Sequence, residues 1–203
     1  MANSAERGRE ASFRGTLIIG LVAFGAIHLF SLLAPEARDG LKARLGERAF
    51  KGIYALVALI GLGFIVWGYS LTHSDLEAPS LYVPANWSRH AAMLLVLLGF
   101  ISLGAFHGKG YLKLWLQQPM SVGVALWAFA HLLANGLLAD VLLFGFFFLY
   151  ALLDIVVSTV RGKIPHHQPQ LRSDVIAVVV GVALYFFFLF VFHPYILKVP
   201  IVG

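Results

Sequence analysis

The sequence predicts an all-α fold, a polytopic membrane helix bundle with six transmembrane helices. Three observations carry the prediction. Hydrophobic residues make up 60% of the 203-residue chain, charged residues only 12%, and the mean hydropathy is +0.84; water-soluble domains hold about twice that share of charge. Six apolar runs of roughly 15 to 20 residues recur, close to the length that crosses a ~30 Å hydrocarbon core at ~1.5 Å per residue. Short connectors rich in proline, glycine and basic residues separate them. Residues 1–15 read as a polar N-terminal segment and residues 16–203 as one transmembrane domain.

The first run, Thr16 to Ala34, follows without a small-residue cleavage pattern, which predicts an uncleaved first span rather than a signal peptide. It carries His28 and stops at Ala34-Pro35, where proline breaks a helix. Next, Arg38, Lys42, Arg44, Arg48 and Lys51 mix with Glu36, Asp39 and Glu47, while Leu41 and Leu45 recur at helical spacing. That pattern predicts a short basic amphipathic segment on the membrane surface. The second span runs from Ile53 to Leu71, and the polar, proline-bearing stretch from Thr72 to Arg89 offers Tyr82 and Trp87 to the interface. The third span, His90 to Phe106, is followed by HGKGYLKLWLQQ, which is too short and polar to cross. The fourth span, Ser121 to Asn135, and the fifth, Leu138 to Val157, are joined by an Asn135-Gly136 turn tight enough to make them antiparallel neighbours. After RGKIPHHQPQLRSD, the sixth span runs from Val175 to Phe192, and His193-Pro194 closes it.

Basic residues orient the spans. Arg38, Lys42, Arg44, Arg48, Lys51, Lys109, Lys113, Arg161, Lys163 and Arg172 flank one side, and Arg7, Arg9, Arg14, Arg89 and Lys198 the other. The side with more lysine and arginine is cytoplasmic, so both termini are expected outside the cytoplasm, in a bacterial inner membrane, although Arg7, Arg9 and Arg14 oppose that orientation. The net charge of +5 thus belongs to loops facing lipid headgroups, not to a nucleic-acid surface. The expected partners are membrane lipids and an apolar, lipid-soluble substrate. With no cysteine, disulfides, thiolate catalysis and cysteine-ligated clusters are excluded.

The eight histidines therefore carry most of the chemical potential. His28 and His131 lie within apolar runs, where an ionisable group is expensive and marks a site. With the first span running inward and the fourth outward, His28 is about six residues (~9 Å) and His131 about ten residues (~15 Å) from the cytoplasmic ends of their spans. Two imidazoles at similar depth on facing helices suit a haem set edge-on, one nitrogen bonding the iron from each side; a helix-to-helix hydrogen bond is the competing use of either. Gly20, Gly25 and Ala26 before His28, and Gly123, Ala125, Ala128 and Ala130 before His131, leave room for a flat ring or for a neighbouring helix. His90, His107 and His193 sit at span ends within reach of headgroups or water. His166 and His167 resemble a metal tract only loosely, and His73 lies in a polar loop. Asp140 is placed to cap the fifth span, and Asp154 lies near that span's other end. No carboxylate pair or serine-histidine-acid set stands at membrane depth.

Three strings, GAIHLFSLLAPEARDGLKARLGERAFKGIYALVALIGLGFIVWGY, PMSVGVALWAFAHLLANGLLADVLLFG and FHPYILKVP, resemble the NnrU family of bacterial membrane proteins. Plant and cyanobacterial relatives of that family include zeta-carotene isomerase. The resemblance covers nearly the whole chain from Leu17 and implies a six-helix bundle holding haem b by histidines. One of these lies in the first conserved helix and one in a W-C-x-x-H string, matching His28 and Trp127-Ala128-Phe129-Ala130-His131 as axial iron ligands. The activity it implies is cis-to-trans isomerisation of a carotenoid such as 15-cis-zeta-carotene. The chain departs from the family in two places. The string's cysteine, proposed as an exchangeable axial ligand, is Ala128, and the Arg-His-Pro preceding this helix is Gln117-Gln118-Pro119.

Two further functions compete. The family's association with denitrification implies a haem protein for nitric oxide sensing, electron transfer or assistance to a reductase. S-adenosylmethionine-dependent membrane methyltransferases carry R-H-P-x-Y-x-G before a helix, of which only Pro119 and Gly123 remain here.

Overall fold

A chain buried in lipid must satisfy every backbone N–H and C=O internally, and a helix does so within one segment. The computed structural model describes residues 4–73 and 79–199, with side chains described for 14–72 and 79–199. Its helices are α1 (Ser4–Leu33), α2 (Pro35–Leu45), α3 (Glu47–His73), α4 (Ser88–Ala105), α5 (Tyr111–Leu116), α6 (Pro119–Ala134), α7 (Leu138–Val160) and α8 (Leu171–Phe187), the last continuing as a π-helix over Phe188–Leu197. Among the described residues the only β-bridge is an antiparallel one, Ser80 to Leu137.

Five stretches, Arg14–Leu33, Glu47–Thr72, Ser88–Ala105, Leu138–Val160 and Leu171–Leu197, are long and apolar enough to cross a membrane. The fourth expected span, α6, has 16 residues, ~24 Å against a ~30 Å core. Pro119 fixes its first turn and Asn135 ends it, which shortens the run. The surface segment is the helix α2, none of whose residues is buried. HGKGYLKLWLQQ forms the six-residue helix α5 and its flanks rather than a span.

One expected stop does not occur. His193-Pro194 does not close the sixth span, because the chain passes through Pro194 in a π-helix and ends at Leu197. Proline in an α-helix clashes with the carbonyl four residues back; the wider i→i+5 register relieves that clash.

Contacts divide the chain into two units, residues 1–83 with 136–146 and residues 84–135 with 147–203. In the first, α1 and α3 run antiparallel with their backbones in contact at glycines. A Cβ on Gly20 would fall 2.5 Å from Ile65 N and one on Gly61 2.7 Å from Phe24 N, while one on Gly68 would strike Leu17. Gly20, open to either use in the sequence, serves helix packing. The start of α7 joins this unit through Leu81 N–H donating to Gly136 O at 2.8 Å and Leu138 N–H to Pro79 O at 2.8 Å.

In the second unit α4 packs against α6 and α8. Gly99 and Gly123 face each other, a Cβ on Gly123 falling 2.9 Å from Gly99 O. Buried Ser102 donates to Pro119 O at 2.7 Å and ties α4 to the start of α6. Ser121 donates to Asp154, and the Trp127 and Phe147 rings meet at 5.7 Å, so α6 and the second half of α7 are antiparallel neighbours as expected. The two connectors flanking α5 and α8 meet: Asp174 accepts from Tyr111 N–H (2.9 Å) and Leu112 N–H (3.0 Å), and Gln118 Nε2 donates to Lys163 O (2.6 Å). Lys109, Lys113, Arg161, Lys163 and Arg172 therefore share one end of this unit.

A candidate histidine site

An imidazole inside an apolar helix has few partners, and the nearest is the carbonyl one turn earlier. His28 uses it: Nδ1 lies 2.7 Å from Phe24 O. Because a carbonyl only accepts, Nδ1 carries the proton and the lone pair is on Nε2. The Phe24 ring stacks on His28 at 4.0 Å and 22°, and Tyr54 meets it edge-on at 5.4 Å. The half-buried ring is thus held in both position and tautomer.

His131 repeats the arrangement in the second unit, with Nδ1 2.8 Å from Trp127 O and the Trp127 ring 5.1 Å away. It occupies the last turn of α6 rather than the middle of a longer helix. Asn135 caps that turn, its N–H and Nδ2 both donating to His131 O, at 2.9 and 3.0 Å. Ala128 and Ala130 beside it are fully buried. Ala128, which stands where the isomerase string has cysteine, is packed within the protein.

A histidine not anticipated beside His131 is His193. His193, expected at a span end near headgroups, is half-buried, and its ring stacks on His131 at a centroid distance of 6.4 Å and 21°. Its Nδ1 donates to Phe188 O at 2.7 Å, five residues back, the acceptor that the π register presents. The sequence offered no signal for this placement, because His193-Pro194 in an apolar run reads as a helix end.

The remaining histidines lie elsewhere. His90, His107 and His166 are exposed, and His167 Nε2 donates to Gly110 O at 3.1 Å. The side chain of His73 lies outside the described residues. Among the described residues no three histidine or acidic side chains group as a metal-ion chelate.

Asp140 does cap the start of α7, accepting from Leu137 N–H at 3.2 Å. It is also almost completely buried, 1% exposed, and accepts from Tyr69 Oη at 2.7 Å. Tyr69 is the partner that the sequence did not single out. Burial and the nearby Asp140 carboxylate hold the Tyr82 phenol above its ordinary range. At the place of the methyltransferase motif, Gln118 turns its amide to the Lys163 carbonyl.

No curated protein and no solved structure matches the chain. The family model described as NnrU protein matches residues 16–201, which include the helices that carry His28, His131 and His193, and the chain belongs to the NnrU family.

Proposed function

We propose that the chain is an integral membrane haem-b protein in which His28 and His131 would hold the haem, with a lipid-dissolved polyene of the zeta-carotene type as substrate for cis-to-trans isomerisation. The observation that supports this reading is the tethering of both imidazoles: each donates Nδ1–H to the carbonyl one turn back, at 2.7 and 2.8 Å. That bond gives a ligating histidine its tautomer and raises the basicity of Nε2. The donor chemistry fits an iron porphyrin, since neutral imidazoles in apolar, aromatic surroundings are the ligands haem iron takes.

The chain's own residues supply orientation and exclude water. Phe24 and Tyr54 around His28, and Trp127 around His131, restrict ring rotation and present apolar walls. Haem, when bound, would supply redox-active iron chemistry able to weaken one double bond of a polyene, in a reaction with no net change in atoms or electrons. Surrounding hydrocarbon dissolves the polyene and raises the cost of charging the iron.

The test is the visible spectrum of detergent-purified protein made with ample haem, before and after dithionite. The expected result is a Soret band that shifts on reduction, with sharp low-spin visible bands. His28→Ala and His131→Ala each lose most of the haem, whereas His73→Ala and His166→Ala keep it. A wild-type spectrum with aromatic absorbance alone, or full haem in folded His28→Ala or His131→Ala, overturns the assignment. Incubation with a cis polyene followed by chromatography then tests isomerisation, and nitric oxide added to the same protein tests sensing.

A further inference from the structure

The connectors at one end of the second unit, residues 107–118 and 161–174, hold the cations Lys109, Lys113, Arg161, Lys163 and Arg172 and a single acid, Asp174. Residues 35–51, in and after α2, hold as many lysines and arginines but also Glu36, Asp39 and Glu47. The two stretches use their acids differently. Around α2, Arg38 pairs with Asp39 at 2.9 Å, and Lys42 and Lys51 both pair with Glu47, at 3.7 and 2.7 Å. In the second unit Asp174 is turned to the backbone N–H groups of Tyr111 and Leu112. Among the described residues no ion pair holds Lys109, Lys163 or Arg172, and all three are exposed.

Hydrogen bonds fix the backbone that carries these three cations. Lys109 O accepts from Gln170 N–H at 2.8 Å and Lys163 O from the Gln118 amide at 2.6 Å, while Arg172 lies between Gln170 and Asp174, each bound to the other connector. A preformed array gives up less freedom on binding than a flexible one. Each cation also stands within a few residues of the end of a stretch long and apolar enough to cross a membrane, Ser88–Ala105, Leu138–Val160 or Leu171–Leu197. Lipid phosphates lie at that level. Next to Lys109, the helix α5 buries none of its residues and exposes Tyr111 and Trp115, the latter to 76%, with 6.3 Å between their rings; such rings favour the headgroup region. We propose that this end of the second unit is a docking surface for anionic phospholipid, with Lys109, Lys163 and Arg172 pairing its phosphates and Trp115 entering the interface beside them. Lipid contact is expected all over a membrane chain; what is inferred is selectivity for negative headgroups and its place. The inference does not depend on the haem reading.

Trp115 serves as the local probe. Full-length protein is reconstituted in phosphatidylcholine bilayers containing a minor share of either brominated phosphatidylglycerol or brominated phosphatidylcholine, and the quenching due to Trp115 is taken as the difference made by Trp115→Phe in each background. Wild-type Trp115 should be quenched more strongly by the anionic lipid, and equal quenching overturns the proposal. One cation near an anionic surface is worth about fivefold in affinity. The combined variant Lys109→Gln, Lys163→Gln, Arg172→Gln should therefore lose most of the preference, whereas Lys109→Arg with Lys163→Arg should keep it. Lys42→Gln, Arg44→Gln and Arg48→Gln, combined in α2, should leave it unchanged; an equal loss there would mean that overall charge is responsible and overturns the assignment to this surface. Inorganic phosphate added to wild-type protein should not relieve the quenching. Relief would assign the cations to a soluble anion and reject the lipid.

Discussion

Single residues in lipid are held by whatever polar partner the backbone offers, and the histidines show how far that can be read in advance. His28 and His131 stand out because an imidazole within an apolar run needs a reason, and the carbonyl one turn back is always available to it. The bond of each to that carbonyl follows from helix geometry alone. His193 did not stand out, because its neighbour Pro194 resembles a helix stop. Asp140 was legible only in part: its position after Asn135-Gly136 predicts a cap, but nothing local points to Tyr69 on another helix. That bond carries a prediction. Tyr69→Phe removes a hydrogen bond to a buried carboxylate, worth about 1.5–3 kcal/mol if the carboxylate is charged, and should lower the unfolding midpoint by several degrees. Asp140→Ala should cost more, since Leu137 N–H and Tyr69 Oη both lose this acceptor. Thermal unfolding in detergent checks both, and an unchanged midpoint in Tyr69→Phe would show that the bond contributes nothing.

Helices pair where their backbones can approach, and the seam between α1 and α3 shows which glycines do that work. Gly61 lies on the α1 side of α3, where an added Cβ would meet Phe24 N and Cα. Phe24 also supplies the carbonyl that holds His28. Gly63, two residues on, has nothing within 4 Å of an added Cβ. Gly61→Leu should therefore destabilise the protein by about 1–3 kcal/mol through overpacking and lower the haem content that the proposed function expects, while Gly63→Leu should leave both unchanged. Paired melting curves and haem content measure this. Similar losses in the two variants would mean that the seam is not the cause. The sequence places small residues on α1 and α6 without saying what fills the space beside them; at Gly20 and Gly123 a neighbouring helix does.

Across the chain as a membrane protein, the count of crossings turns on α6. Its 16 residues are short for a span, yet in the second unit its start meets the connectors that carry Lys109, Lys163 and Arg172, and its end is Asn135. The absence of cysteine makes the topology directly measurable. With six crossings, Asp39→Cys, Lys109→Cys and Gln168→Cys should be labelled by an impermeant maleimide only after the cytoplasmic side is opened, and Ser80→Cys without opening. Gln168→Cys labelling together with Ser80→Cys would reduce the crossings to five.

Burial preference, hydropathy and the length of apolar runs are local properties, and they sufficed for an all-helical membrane chain, the approximate limits of its helices and two histidines worth testing. A lipid environment leaves so few ways to satisfy a backbone that these signals decide the class. The encounter of His131 with His193, the burial of Asp140 against Tyr69 and the passage of the last helix through Pro194 were decided by tertiary structure. Each depends on how one helix is rotated and spaced against another, which packing at glycines and a change of helical register determine and residue order alone does not encode locally.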